Sequence, residues 1–266
     1  MTEPLSAGNP FKRVLAIAGN TFREAIRDRV LYNLVVFVLL IVACAILLGE
    51  LTNGQEARTI VNIGLNALLI FGTFIAIFVG VGLVSKEIEK RTVFNIFSKP
   101  VGRGEFVTGK FLGLCLTLLV NTFVMGLGVS LALIYVNNSS LALSIWPAIF
   151  LIFFELMITT AVAIMFSSFS TPALSALLTF FVFIIGHLSS SLRDLASGLG
   201  SRMASLFLEA IYFLLPNLAL FSFRTEAANE LTPTVAMLGY AVLYSIFYCV
   251  VLLTIAIIIF SRRNFK

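Results

Sequence analysis

Histidine occurs once in the 266 residues, cysteine three times, and only 12% of the chain is charged. One histidine is too few for the nitrogen-rich ligand sets of catalytic zinc. The paired glutamates and intramembrane histidines that a membrane metalloprotease needs are absent, and no serine or cysteine has a His–acid partner in plausible register. Cys44, Cys115 and Cys249 lie in separate apolar runs with no CxxC or Cys/His spacing, which supports neither a zinc site nor a disulfide framework. So little charge cannot cover the surface of a soluble domain of this length. No repeat of solenoid length and no duplication of one half onto the other is visible, which weighs against carriers built from repeats.

What the chain does have is apolar sequence in long runs. Hydrophobic residues make up 59%, phenylalanine alone contributes 26, and the mean hydropathy is +1.05. A helix needs about 20 apolar residues to cross a bilayer. On that criterion the sequence predicts an all-α integral membrane protein with six transmembrane helices, at roughly 30–49, 60–84, 106–136, 146–168, 171–190 and 237–260. The whole of 1–266 then forms a single transmembrane domain. Its appendages are a cytoplasmic amphipathic helix within 1–29, a cytoplasmic segment at 85–105 and an outer-side segment with short helices at 191–236. The third run is long enough to project into the cytoplasm around Gly109–Gly113. Residues 1–29 are charged and polar with no cleavage-type signal, so the first span is expected to persist in the mature protein.

The formal charge of +5 is unevenly placed. Fourteen of the eighteen basic residues fall in the N-terminal segment, in the connection between the second and third spans, or at the C-terminus. Only Arg58, Arg193, Arg202 and Arg224 fall elsewhere. The positive-inside rule then puts both termini in the cytoplasm of a multi-pass plasma (inner) membrane protein, with membrane lipid rather than nucleic acid as the surrounding partner. Leu206–Phe223 is nearly long enough to cross, but it carries Glu209 and is interrupted by Pro216. Counting it as a span would place Arg262, Arg263 and Lys266 outside. It is therefore expected to form two short helices broken at Pro216, in or on the outer leaflet, with its non-helical backbone covered by protein or water.

Two cytoplasmic segments are patterned. In the first, Phe11, Val14, Leu15, Ala18, Phe22 and Ile26 follow helical spacing, with Lys12, Arg13, Arg23 and Arg27 between them. This is an interfacial amphipathic helix, serving as a membrane anchor or as a docking surface. The second is KEIEKRTVFNIFSKPVGRGEFVTGK, Lys86–Lys110. Glu87 can meet Lys90 and Arg91 at helical spacing, Val93, Phe94, Ile96 and Phe97 give a short apolar patch, and Pro100 ends the helix before Gly102 and Gly104 turn the chain. Such a helix suits a soluble partner, or is a basic loop that only sets topology.

This stretch resembles the second-to-third connection of ABC-2 type transporter permeases, through Glu87, Glu89, Arg91, Thr92, Ser98, Lys99, Pro100, Arg103, Gly109 and Lys110. Phe22–Tyr32 (FREAIRDRVLY) and Phe213–Phe223 (FLLPNLALFSF) are also similar to that family, and Gly102 stands where Ser is common. The resemblance implies a permease subunit of an ATP-driven exporter, not itself an enzyme. Two such subunits, alike or similar, would be engaged by two copies of a separate ABC ATPase subunit, which would bind ATP and Mg. This chain would bind no cofactor or metal. The segment Lys86–Pro100 would be the coupling helix, with Glu87, Glu89, Arg91, Thr92, Phe94, Phe97, Lys99, Pro100 and Arg103 as its contact residues. Phe11, Arg23 and Arg27 would belong to the interfacial helix beside it.

Other signals are weaker. Gly104–Lys110 fits GxxxxGK, but Phe111 follows where a phosphate loop needs Ser or Thr, and no strand precedes it. Glu155 is the one carboxylate near the middle of a span, a functional candidate by default. It reads more simply as a protonated or Thr159-bonded group at a helix interface, and its isolation argues against a proton-coupled carrier. His187 reads as an interfacial residue. Gly72, Ala76 and Gly80, and again Gly109 and Gly113, form small-residue faces for close packing. The alternatives are a secondary transporter using Glu155, or a scaffold that recruits a soluble complex.

Overall fold

A computed structural model describes residues 10–26, 55–89, 102–189 and 202–262, with scattered positions between 36 and 47. Among the described residues the chain is all helical. In order come α1 (Pro10–Ala25), α2 (Glu56–Glu89), α3 (Arg103–Tyr135), α4 (Ser139–Ser144), α5 (Trp146–Ser167), α6 (Pro172–His187), α7 (Arg202–Leu214), a 3-10 turn (Leu218–Phe221), α8 (Arg224–Ala228) and α9 (Val235–Arg262). Four stretches are long and apolar enough to cross a membrane: α2, α3, α4–α5 taken together, and α9. The 16-residue α6 is equally apolar but shorter. The four long stretches fall on four of the six expected spans, and the shorter α6 lies within a fifth expected run, 171–190. The expected first span at 30–49 lies almost wholly outside the described residues.

The helix boundaries follow from local chemistry. Pro147 and Pro172 sit in the first turns of α5 and α6, where the missing N–H costs nothing. The α3–α4 corner turns on Asn137, which takes a positive φ of 58°. Asn138 then caps α4 by accepting from the Leu141 N–H at 3.3 Å. At the head of α9 the Thr234 hydroxyl accepts from the Met237 N–H at 3.3 Å.

Helix α5 is the hub. It packs against α2, α3, α6 and α9, and buries Leu151, Ile152, Leu156, Ile158, Ala161 and Ala163. The small-residue face expected on the second span lies against it. A Cβ added at Gly72 would come within 2.5 Å of Leu156 Cδ1, and one at Gly80 within 3.2 Å of the Ala163 Cβ. The contacts fix the direction of each helix. The head of α3 meets the tail of α9 through Arg103, and α2 packs on α8. Taking the end that holds α1 as the near end, α3 and α6 run away from it while α2, α5 and α9 return.

The segment interrupted at Pro216 is broken as the sequence predicts. Within Leu206–Phe223, α7 ends at Leu214 and the 3-10 turn Leu218–Phe221 follows the break, with α8 starting just beyond at Arg224. A break strands backbone groups that lipid cannot satisfy. Here two tyrosines of α9 take them: the Tyr248 hydroxyl donates to the Leu214 carbonyl at 2.8 Å, and the Asn217 N–H donates to the Tyr244 hydroxyl at 2.9 Å. The Ser189 hydroxyl donates to Asn217 Oδ1 at 2.5 Å. Gly186 permits the approach of the Pro216 carbonyl, which would lie 2.8 Å from an added Cβ. Glu209 is exposed on α7.

Candidate functional site

Two sites stand out, one at each half of the bundle. The first is the junction where the chain emerges from residues 90–101. Gly102 donates its N–H to Glu105 Oε2 at 3.0 Å and so starts α3. Glu105 Oε1 also pairs with Arg13 of α1 at 3.1 Å. Arg103 turns the other way. Its Nη1 donates to the carbonyls of Phe260 and Ser261 at 3.0 and 2.6 Å. These are among the last carbonyls of α9, which have no partner within their own helix and favour a cation. Phe106 stacks on Phe260 with ring centres 5.9 Å apart.

One turn further, Lys110 is buried with 3% of its side chain exposed. Its ammonium lies 3.4 Å from Glu24 Oε2 and 5.8 Å from the centre of the Phe106 ring. A buried ammonium needs such partners. Between these ion pairs Gly109 and Gly113 let α1 lie directly on α3. Added Cβ atoms would meet Ile17 Cγ2 at 2.7 Å and the Ala18 carbonyl at 2.6 Å. Helix α1 therefore buries Ala18, Thr21 and Ala25. Its larger apolar residues Phe11 and Leu15 stay exposed, free to enter an interface as the amphipathic pattern predicts. The junction makes α1 a fixed part of the bundle.

The expected contact residues divide. Glu87 and Glu89 belong to the last turn of α2. Arg103 heads α3 and is engaged with α9. Phe11 and Arg23 are exposed on α1. Arg27, Arg91, Thr92, Phe94, Phe97, Ser98, Lys99 and Pro100 lie outside the described residues. Gly104–Lys110, the stretch resembling a phosphate loop, is plain helix.

The second site corrects an expectation. Glu155 is not isolated. Its carboxylate is fully buried in α5, with Oε1 3.0 Å from His187 Nε2 at the end of α6 and Oε2 4.0 Å from Arg224 Nη1 at the start of α8. Nor does Thr159 bond the carboxylate; its hydroxyl donates to the Glu155 backbone carbonyl at 3.1 Å. The sequence hid this cluster because its members are 32 and 37 residues from one another, and only the fold back at Pro216 brings Arg224 to α5. Their shared scarcity was the available signal: one histidine, one mid-span acid and one of four arginines outside the basic segments.

Multiple apolar spans with a buried polar junction are common to many membrane proteins, and what decides between families is the whole-chain pattern. Residues 15–265 match the family described as ABC-2 family transporter protein. The chain belongs to the ABC-2 transporter family. It is thus the membrane component, the permease, of an ABC transporter, and this ABC-2 permease is a multi-pass membrane protein. Permeases of this family lack the catalytic ATPase domain, so the hydrolysing partner is an ABC ATPase. No curated protein gives a significant match to the chain. Membership sets aside the readings as a secondary carrier and as a scaffold.

Proposed function

We propose that this permease is one of two six-span halves of an exporter, driven through residues 86–100 by two copies of an ABC ATPase that hold ATP and Mg. The observation that carries the coupling reading is the junction. Residues 90–101 lead straight into Gly102–Lys110, which is bound to α1 through Glu105, Gly109 and Lys110 and to α9 through Arg103. A displacement of the segment before Gly102 is delivered to three helices at once. In this reading Glu87, Glu89, Arg91, Thr92, Phe94, Phe97, Lys99 and Pro100 meet the ATPase, and Arg103 passes the motion on.

Six crossings are supported by the ends of the described helices. Helix α1 lies at the near end and α2 starts at the far end beside α8, so residues 27–54 join opposite ends. With α2, α3, α5, α6 and α9 this makes six traverses. Arg103, Lys110 and Arg262 belong to the near end, which is the cytoplasmic one under the positive-inside rule. A polar stripe supports a pathway between two halves. Arg58, Asn62 and Asn66 are exposed at successive turns of the far half of α2, where facing hydrocarbon is costly.

The reading is tested by expressing the chain with the ABC ATPase from its host and purifying the complex. Charge reversal at Glu87 and Arg91 together is expected to leave the helices inserted while abolishing transport-linked ATP hydrolysis. A chain that purifies with no ATPase, or a double reversal that transports normally, counts against it.

A further inference from the structure

The cluster of Glu155, His187 and Arg224 has no part in the coupling junction, and its hydrogen accounting points to a ligand. His187 Nδ1 lies 3.2 Å from the Phe183 carbonyl, one turn back in α6. That oxygen is an acceptor, so Nδ1 carries a hydrogen. Nε2 lies 3.0 Å from Glu155 Oε1. A neutral ring with its hydrogen on Nδ1 would point a bare lone pair at a carboxylate. With the hydrogen moved to Nε2, Nδ1 would instead point a lone pair at a carbonyl. With acceptors within reach of both ring nitrogens, at 3.2 and 3.0 Å, the pair accommodates one proton more than a neutral histidine and an ionised glutamate supply.

We propose that Glu155 and His187 form a proton-binding site whose occupancy clasps α6 to α5 beside the break at Pro216. Three features favour the proton on the ring. Arg224 Nη1 stands 4.0 Å from Glu155 Oε2, a cation beside the carboxyl group. His187 is the last residue of α6, where unpaired carbonyls favour a cation. The His187 side chain is also about one-fifth exposed whereas Glu155 is sealed, so of the two groups His187 is the one nearer the surface of the bundle. Nε2, both carboxylate oxygens and Arg224 Nη1 are buried without a directed hydrogen bond. The site thus holds its charges together by proximity and is open to change.

Among the described residues few other ionisable groups act there. Helix α6 has none besides His187, α5 none besides Glu155, and the 3-10 turn and α4 have none. Helix α8 adds Glu226. On α2 Glu56 and Arg58 sit at its far end and Lys86, Glu87 and Glu89 at its near end. Helix α9 carries Tyr240, Tyr244, Tyr248, Cys249 and Arg262. On α3, Arg103, Glu105, Lys110 and Cys115 lie toward the near end and Tyr135 at the far end. When the proton leaves, Glu155 keeps Arg224 but loses its attraction to α6. The Gly186–Pro216 and Ser189–Asn217 contacts remain and hold that corner without the charge pair.

A single histidine makes the test unambiguous. The full chain, labelled with 15N-histidine and placed in lipid nanodiscs, gives one ring to observe by NMR. At pH 7 both ring nitrogens are expected to carry hydrogen, and Glu155→Gln at the same pH is expected to leave a neutral ring. A neutral ring in the unaltered chain, or a ring that stays doubly protonated in Glu155→Gln, overturns the proposal. If the variant fails to insert, raising the pH on the unaltered chain decides. Amide exchange over Gly186–Ala228 should rise at least tenfold as the ring loses its second hydrogen, and unchanged exchange across that step overturns the clasp.

Discussion

Arg103 Nη1 lies within 3.0 Å of the Phe260 carbonyl and 2.6 Å of the Ser261 carbonyl, so the first residue of α3 closes the last turn of α9. The two are 157 and 158 residues apart in sequence. Hydrogen bonds from a charged donor contribute about 1.5–3 kcal/mol each. Arg103→Ala is expected to lower stability by about that much and to separate ATP hydrolysis from transport. Arg103→Lys, a compact charge without the guanidinium fork, should recover part of the stability and little of the coupling. Thermal unfolding and transport-linked hydrolysis of the purified complex measure the two effects.

The glycines of the junction predict opposite outcomes by position. Gly113→Ala drives a methyl group toward the Ala18 carbonyl, 2.6 Å away, and α1 must move. A loss of about 1–3 kcal/mol is expected, with faster proteolysis of α1. Gly19 faces open space, and Gly19→Ala in mid-helix should gain up to about 1 kcal/mol. Equal effects at the two sites would contradict the packing described here.

Tyr244 and Tyr248 predict a matched pair. Tyr248→Phe removes the donor to the Leu214 carbonyl, and Tyr244→Phe the acceptor for the Asn217 N–H. Each is expected to cost about 1–2 kcal/mol, confined to the segment around Pro216. Hydrogen exchange should quicken at 214–221 and stay unchanged in α2 and α3.

Removing the buried acid differs from neutralising it. Glu155→Ala strips the partner from His187 and Arg224 and leaves a hole in α5, so a loss of about 3–5 kcal/mol is expected. Glu155→Gln keeps the shape and should be milder. Adding Arg224→Gln to Glu155→Gln should cost less than the two separate losses summed, since the pair is removed together.

The spans were legible because hydropathy reports a segment's own composition, and α9 agrees with its expected limits to within two residues at either end. The break at Pro216 was legible for the same local reason. The site was less so. Glu155 could be found from its depth, yet its partners arrive from α6 and α8, and no spacing rule links them. Arg103 was read as a contact for a partner from the resemblance of Lys86–Lys110 to the family's connection; its commitment to α9 depends on where the ends of two helices meet. Helix α1 shows the same limit: periodicity gave its amphipathic face, but glycines 109 and 113 chose which side it buries.

Helix α9 meets the rest of the bundle along one stripe, through Ala241, Ser245, Cys249, Leu252, Ala256 and Phe260, while Leu243, Phe247 and Val250 face outward. In a bilayer, the part of that face that no partner subunit covers lies against fatty acyl chains. Since Arg103 and Phe106 grip its tail while its own Tyr244 and Tyr248 hold the segment broken at Pro216, a tilt of α9 imposed by the surrounding lipid would be a mechanical input reaching both the junction and the break.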